Sequence, residues 1–146
     1  MKTAAEILKS KSKQAVHSIA PDDSVLDAVK LMADKNIGAL LVMEADRIAG
    51  IVTERDYARK VVLMSRSSKE TPVREIMTAE VMYVHPGQTS DECMVLMTEN
   101  RLRHLPVIDG DKLLGLISIG DLVKSIISEQ RFTIEQLEHY ISGGTS

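Results

Sequence analysis

Cysteine and aromatic residues are scarce in this sequence. Its 146 residues contain one cysteine, one phenylalanine, three tyrosines and no tryptophan. A single cysteine excludes an internal disulfide and gives no sign of an oxidising compartment. Cys93 lies among apolar residues at helical spacing, which predicts a buried and unreactive thiol. Without aromatic bulk, the core must be built from Leu, Ile, Val, Ala and eight methionines.

The chain also lacks an excess of basic residues and a long apolar run. Its formal net charge is −3 and its isoelectric point is about 5.8. The densest basic run, Lys9, Lys11 and Lys13, is short and predicts a solvated loop or helix end rather than a nucleic-acid-binding face. No apolar run approaches the length of a membrane span, and the first residues lack a signal-peptide core. These absences predict a cytoplasmic protein whose partners include neither nucleic acid nor membrane.

The sequence repeats itself at a spacing of 65 residues. A shift of this length superimposes identical residues at many positions without a gap, and a constant register of this kind indicates a duplicated unit. The identical pairs are Pro21/Pro86, Leu31/Leu96, Met32/Met97, Leu40/Leu105, Val42/Val107, Asp46/Asp111, Gly50/Gly115 and Asp56/Asp121.

Both repeats predict the same order of helices and strands. Apolar spacing predicts helices, short apolar runs predict buried strands, and short polar turns predict antiparallel hairpins. The first repeat gives a helix at 24–35, strands at 39–43 and 48–52, and a helix with Tyr57, Val61 and Met64 on one face that begins at Thr53; the second gives 89–100, 104–108, 113–117 and 118–129. An extended segment (15–19 or 79–84) and a helical turn (3–8 or 71–77, the latter capped by Thr71) precede each repeat.

These elements predict an α+β fold with two related halves. One repeat alone would expose the apolar face of its small sheet, whereas two repeats packed together would bury it. We therefore expect two β-α-β-β-α units, related by a pseudo-twofold axis, in one compact module. The expected units are residues 1–66 and 67–130, followed by a helical tail at 131–146.

The tail has no counterpart in the first repeat. Apolar residues from Ile126 to Ile141 keep helical spacing beyond the last repeated element. This stripe either folds back on its own half or forms a dimer contact. The sequence leaves the two alternatives open.

A shared pattern marks the junction of the last strand and the last helix in each repeat. The stretches are Gly50–Asp56 (GIVTERD) and Gly115–Asp121 (GLISIGD). A hydroxyl residue followed three positions later by an aspartate forms a helix capping box, which needs no ligand. The same helix start also offers free amides to an anion, and a carboxylate offers two acceptors to a vicinal diol such as ribose. The pattern is therefore typical of a helix cap or of a nucleotide site.

Basic residues precede the first strand of the hairpin only in the second repeat. Arg101, Arg103 and His104 could meet a phosphate there, although an exposed basic strand end and a core histidine explain them equally. The first repeat has Ile37, Gly38 and Ala39 at the positions matching 102–104, and Arg55 is its nearest substitute for the missing charge. The two sites are therefore expected to bind different ligands.

Taken together with Leu105–Asp109 (LPVID) and Glu75–Thr78 (EIMT), the doubled pattern resembles the tandem cystathionine-β-synthase (CBS) domain pair, or Bateman module. Residues 50–57 (GIVTERDY) and 140–144 (YISGG) look like the stand-alone subgroup, which carries no attached enzyme. The resemblance implies two clefts that bind AMP, ADP or ATP, or sometimes NAD(H) or S-adenosylmethionine. It also implies a homodimer.

The resemblance further implies a role for individual positions. Asp56 and Asp121 would hold ribose hydroxyls, and Thr53 and Ser118 would contact ribose or phosphate. The remaining implied nucleotide-binding residues are Arg103 and His104 for phosphate, the backbone of Ile37, Gly38 and Ala39 and of Leu102, Arg103 and His104 for the base, and Arg55, His17 and Met82 as further candidates.

The leading functional hypothesis is a regulatory module that senses adenine nucleotides and acts on a partner protein through conformational or dimer changes. The alternative is a dimeric scaffold with degenerate pockets, which follows if both aspartates serve only as caps. An enzyme is not expected, because Ser118 and Asp121 are explained by one helix start and no glycines of a nucleophile elbow flank the serine. The four histidines have no metal-ligand spacing, so neither a metal nor a catalytic cofactor is expected.

Overall fold

The protein divides into two compact units, and each contains one hairpin of the repeat. A computed structural model describes residues 1–11 and 16–141. The first-repeat unit is Val16–Val81, and the second-repeat unit combines the described residues 1–11 and 82–141. The predictions for Lys13, for the start of the 15–19 segment and for residues 142–146 lie outside the described residues.

The first-repeat unit is built on a three-stranded sheet in the order β1-β2-β3. Strand β1 runs parallel to β2, and β2 pairs antiparallel with β3. Its elements are β1 Ser18–Ile19, α2 Val25–Lys35, β2 Ala39–Glu44, β3 Arg47–Thr53, α3 Glu54–Tyr57, a π-helical turn Ala58–Val62 and a 3-10 turn Val73–Glu75. The core packs one face of α2 against Leu40, Val42 and Val52 of the sheet.

The second-repeat unit is built on the antiparallel hairpin β4-β5. Its elements are α1 Ala4–Ser10, α4 Ser90–Asn100, β4 His104–Asp109, β5 Lys112–Ser118 and α5 Ile119–Ile141. The core joins Met97 of α4 to Leu105 and Ile117 of the hairpin and includes Cys93. Cys93 is buried, as predicted. Burial, and secondarily the charge of Glu92, raises the pKa of its thiol, which favours the less reactive protonated form. The α+β class is confirmed as well.

The repeat extends to backbone conformations at turns and helix ends. The N-caps Ser24 and Thr89 accept a hydrogen bond from the third residue of their helices. Left-handed residues end the same helices, Asn36 at φ 55° and Arg101 at φ 55°. The two-residue hairpin turns also begin with positive φ, at Ala45 (56°) in one repeat and Gly110 (62°) in the other.

Replacing Ala45 by glycine is expected to stabilise the protein by about 1 kcal/mol. A left-handed conformation crowds the alanine Cβ against the following carbonyl oxygen, and glycine removes that contact. The matched change Gly110→Ala places the same Cβ in the equivalent turn and is expected to destabilise by a similar amount, since no neighbouring atom lies within 4 Å to add a clash. Urea unfolding of both variants measures the pair, and shifts of the same sign would contradict the explanation.

The segment that precedes each repeat in the sequence packs in the other unit. Val73 and Ile76 belong to the core of the first-repeat unit, where the amide of Val25 donates to the carbonyl of Thr71 at 2.9 Å. Helix α1 places Ala4 and Ile7 in the core of the second-repeat unit. The expected ranges 1–66 and 67–130 follow the sequence repeat. In the structure, the turn that precedes the second repeat belongs to the first-repeat unit, and helix α1, which precedes the first repeat, belongs to the second-repeat unit.

Two predictions about the segments before and between the repeats are wrong. The predicted strand 79–84 does not form: only Val84 pairs, in a parallel bridge with Val107, because the chain passes from one compact unit to the other at residues 81 and 82. Thr71 does not cap the following turn, which begins after Pro72 and has no side-chain cap. The backbone of Thr71 instead bonds to Ser67 and Val25.

The predicted helix from Thr53 to Met64 is shorter and wider than expected. After four residues it changes to π-helical geometry, in which the amide of Leu63 donates to the carbonyl of Ala58, five residues back, at 3.0 Å. The wider turn keeps Val61 buried at 1% exposure but leaves Met64, beyond the helix, 67% exposed. Met64 therefore does not belong to the core face that the apolar spacing predicts.

Candidate functional site

The first-repeat junction is a complete capping box. Thr53 ends β3, and its hydroxyl accepts a hydrogen bond from the amide of Asp56 at 3.2 Å. The Asp56 carboxylate in turn accepts hydrogen bonds through Oδ2 from the Thr53 amide at 3.0 Å and from its hydroxyl at 3.1 Å. The predicted helix cap is therefore present at this junction.

The other oxygen of Asp56 is paired with a lysine. Lys60 Nζ lies 3.2 Å from Asp56 Oδ1, one helical turn further on, and also donates to the Ile76 carbonyl at 2.9 Å. The carboxylate is 13% exposed and the lysine side chain 46%. Asp56 therefore faces outward only in part, beside a cation that an anionic ligand would share.

The second-repeat junction repeats the cap at the start of α5. Asp121 Oδ2 accepts a hydrogen bond from the Ser118 amide at 2.8 Å, and Ser118 Oγ accepts one from the Asp121 amide at 3.1 Å. The Asp121 side chain is 18% exposed. Both halves of the repeat thus hold their aspartate in the same position, directly after the last strand.

Lys11 supplies the cation at this second junction. Its Nζ lies 2.9 Å from Asp121 Oδ2 and donates to the Leu116 carbonyl at 2.7 Å. The Lys11 side chain is 24% exposed, so the prediction that it belongs to a solvated basic run is wrong. The reason is the packing of α1 on β5, which carries the residue after the helix to the start of α5.

The two junctions obtain their lysine from different parts of the chain. The residue that matches Lys60 in the second repeat is Ser125, which is 4% exposed and makes no hydrogen bond through its hydroxyl to the described residues. A neutral side chain at this position leaves the second aspartate without a cation from its own helix. Lys11 restores the pairing from the preceding segment.

The charged surroundings hold the Asp121 carboxylate in its ionised form. Burial alone would raise its pKa, but the hydrogen bond from the Ser118 amide and the hydrogen bond and charge of Lys11 outweigh it, so the pKa of Asp121 lies below its ordinary value. The carboxylate therefore remains an acceptor of hydrogen bonds at neutral pH. This is the protonation state that binding of ribose hydroxyls requires.

Arg103 and His104 lie beside the second junction. His104 is the β4 residue opposite Ser118, and the carbonyl of Arg103 accepts a hydrogen bond from the Ile119 amide at 2.8 Å. Burial, followed by the charge of Lys11, lowers the pKa of His104. The lowered pKa favours the neutral imidazole, so Lys11 and Arg103 rather than His104 carry the positive charge at this junction.

The matching residues of the first repeat lie beside the first junction. Ala39 pairs with Thr53 across the hairpin, and the carbonyl of Gly38 accepts a hydrogen bond from the Glu54 amide at 3.1 Å. Ile37 directly precedes them, and Arg55 is an exposed residue of α3. The structure thus brings together the predicted residues of each repeat around its own aspartate.

Of the remaining candidates, His17 and Met82 precede segments that pair with β2 and β4, and Leu102 directly precedes Arg103. His17 directly precedes β1, which pairs with Leu41 and Val42 of β2. Met82 is 39% exposed and lies two residues before the bridge at Val84. Leu102 donates its amide to the carbonyl of Met97 and packs against the second-repeat core, so its side chain serves packing.

The described ranges 1–11 and 16–141 also bear on metal binding and on membrane insertion. No His, Cys, Asp or Glu cluster of three or more is arranged there to hold a metal, and no helix in these ranges is both long and apolar enough to cross a membrane. A shallow depression of about 580 Å³ follows the outer face of α5, along Lys124, Ile127, Arg131 and Phe132, and contains none of the predicted nucleotide-binding residues.

Comparison with known proteins identifies both repeats. The family model of the CBS domain matches residues 4–63 and 73–128. The mitochondrial CBS domain-containing protein CBSX3 of Arabidopsis thaliana is 45% identical over 150 residues, which cover 97% of this chain and 73% of that protein.

Two solved structures show the same fold. A CBS-domain protein from Burkholderia ambifaria that is assigned to signal transduction is 66% identical, with a TM-score of 0.85 over 88% of this chain and 96% of that one. A hexameric CBS-CP12 protein from bloom-forming cyanobacteria is 30% identical, with a TM-score of 0.74 over 100% of this chain and 91% of that one. Oligomers therefore occur among the structural relatives.

Proposed function

The chain belongs to the family of CBS-domain proteins, and from that premise we propose that it is a non-catalytic regulatory module that binds an adenine nucleotide. The observation that carries the proposal is the doubled junction, in which an aspartate caps a helix start in the same register of both repeats and pairs with a lysine from a different part of the chain in each. Ribose hydroxyls would bind the aspartate, and the nucleotide phosphate would bind the neighbouring cation.

The second-repeat junction is the better candidate for a phosphate. Lys11 and Arg103 contribute positive charge there, His104 contributes a neutral imidazole, and α5 presents its amino-terminal end. The first-repeat junction has Lys60 and Arg55, whereas Gly38 and Ala39 replace the side chains that flank the second site. We therefore propose AMP, ADP or ATP for the second site, and an adenine ligand without a terminal phosphate, S-adenosylmethionine or NAD(H), for the first.

Regulation requires that the ligand prefer one of two states of the protein. We propose that the protein acts as a homodimer on a partner protein, and that nucleotide binding changes the conformation or the dimer. The proposed compartment is the cytoplasm, on the basis of composition and the single buried cysteine.

The alternative function is a dimeric scaffold. One observation favours it: both aspartates already accept cap hydrogen bonds and pair with a lysine, so each has a structural role without a ligand. The two functions differ in a measurable way, because a scaffold with degenerate pockets has no nucleotide affinity to lose.

Binding of nucleotides is tested by calorimetry and thermal shift with AMP, ADP, ATP, NAD⁺, NADH and S-adenosylmethionine. A ligand of the native state is expected to raise the melting temperature in proportion to the logarithm of its concentration. Asp121→Ala is expected to abolish the shift by the phosphate-rich ligands. Absence of binding by every ligand in the panel would contradict the proposal and favour the scaffold.

The matched control for Asp121→Ala is Thr89→Ala. Thr89 caps α4 in the same unit, away from the junction, and its loss is expected to destabilise by about 1 kcal/mol. This variant should keep the nucleotide shift although its melting temperature falls. Equal loss of binding in both variants would show that lower stability, rather than the missing carboxylate, explains the effect.

A further inference from the structure

Helix α5 continues well beyond the unit on which it packs. Its first half buries Leu122 and Ser125, and Glu129 accepts a hydrogen bond from the amide of Lys2 at 2.6 Å. All residues from 131 to 141 are exposed. The alternative that the tail folds back on its own half is therefore wrong, because a tail packed on its own half would bury one face of these three turns.

The exposed side of α5 carries an apolar stripe with a period of 3.5 residues. Its members alternate in spacing between four and three positions over the whole helix, which is the pattern of a two-helix coiled coil. We call this stripe the α5 seam; it consists of Val123 (43% exposed), Ile127 (45%), Gln130, Ile134 (53%), Leu137 (56%) and Ile141 (81%). Five of its six residues are aliphatic, and isolated exposure of so many in one line is unfavourable in water.

We propose that the α5 seam pairs with the α5 seam of a second copy of this chain in an antiparallel coiled coil. One register places every seam residue opposite another without overhang. Its layers are Val123 with Ile141 of the second copy, Ile127 with Leu137, and Gln130 with Ile134, each of which occurs twice through the twofold axis. The seam is thus complementary to itself over its full length.

The charged residues beside the seam favour the antiparallel orientation. In this register Lys124 of one copy lies beside Glu138 of the other, and symmetry repeats the pair, whereas Arg131 lies beside its own copy near the twofold axis. The two pairs of opposite charge outnumber the one pair of like charge. A parallel pairing would instead place Thr133 beside Glu138 and Ile126 beside Arg131, which gives no pair of opposite charges.

The inference deepens the proposed homodimer but does not depend on the nucleotide. The seam begins two residues after Asp121, so dimer formation and the second junction involve the same helix. The two proposals fail separately: a monomer that binds nucleotide would overturn the inference alone, and a dimer that binds none would overturn the sensor alone.

Sedimentation equilibrium of the full chain tests whether the α5 seam forms a dimer. Ile134→Asp introduces a charge beside the centre of the seam and is expected to weaken dimerisation at least tenfold. The matched control is Phe132→Asp, since Phe132 is 63% exposed on the same turns but lies outside the seam. The control should leave the dimer unchanged. A wild-type chain that stays monomeric, or equal effects of the two variants, would overturn the proposal.

Single cysteines test the orientation. In the antiparallel register Thr133 lies beside its own copy at the twofold axis, so Thr133→Cys is expected to form a disulfide-linked dimer under mild oxidation. Residues Ile141 of the two copies would lie about 27 Å apart, given a rise of 1.5 Å per residue, and Ile141→Cys should not cross-link. Cys93 is buried and does not compete. Cross-linking of Ile141→Cys with none for Thr133→Cys would indicate a parallel pair and overturn the register.

Discussion

Replacing Gly50 by alanine is expected to lower the free energy of unfolding by about 3 kcal/mol. A Cβ at this position would lie 2.7 Å from the carbonyl oxygen of Thr78 and 2.7 Å from Sδ of Met77. The Thr78 carbonyl has little room to move, because it accepts a hydrogen bond from the Ile51 amide at 3.0 Å and the Thr78 amide donates back at 2.9 Å. Relief of the clash therefore requires that this bridge break.

The equivalent change in the other repeat, Gly115→Ala, is the matched control. Its Cβ would lie 2.8 Å from Cδ2 of Leu8, a side chain that can rotate away. We expect a loss of about 1 kcal/mol. Denaturant unfolding of both variants gives the comparison, and a larger loss for Gly115→Ala than for Gly50→Ala would show that the bridge at Thr78 is softer than its hydrogen bonds indicate.

Replacing Asp121 by asparagine is expected to destabilise the protein by about 2 kcal/mol at pH 7. The amide keeps the size of the carboxylate but removes its charge, which weakens the cap and leaves Lys11, a half-buried cation, without its counterion. The variant is informative beyond nucleotide binding, because it measures how far the ion pair joins the end of α1 to the start of α5.

The destabilisation should depend on pH in one direction. The pKa of Asp121 is lower in the folded protein than its ordinary value, so the carboxylate stabilises the fold fully above pH 3.8. This contribution disappears as the pH falls through the folded pKa, where wild type and Asp121→Asn should converge. Glu92→Gln, an exposed cap partner on α4, should show an effect within about 0.5 kcal/mol at both ends. A difference between wild type and Asp121→Asn that is the same at pH 2 and pH 7 would contradict the ion-pair explanation.

The sequence predicts the elements that local chemistry determines. Apolar spacing locates α2, α4 and both hairpins within a few residues, and the capping signals at Thr53 and Ser118 both correspond to observed hydrogen bonds. These features depend on residues three or four positions apart, so a single sequence contains all the information they need.

The missed Lys11–Asp121 pair depends on a contact between distant parts of the chain. Lys11 precedes Asp121 by more than 100 positions, and no sequence pattern near either residue predicts their ion pair. The Lys60–Asp56 pair can be predicted from the sequence, because Lys60 follows Asp56 by four residues on one helix. The π-helical turn after Tyr57 cannot be predicted from the sequence, since neither glycine nor proline marks it. The roles of the candidate residues in nucleotide binding remain predictions.

The packing of helix α1 in the second-repeat unit has a consequence for folding during synthesis. The first-repeat unit is one continuous stretch, Val16–Val81, and all of its core is available once that stretch has left the ribosome. Helix α1 is made before it, yet its core partners Leu105, Ile117 and Leu122 are made about a hundred residues later. Helix α1 is the first helix to be synthesised but is therefore among the last to pack. It remains without its core partners while the first-repeat unit folds.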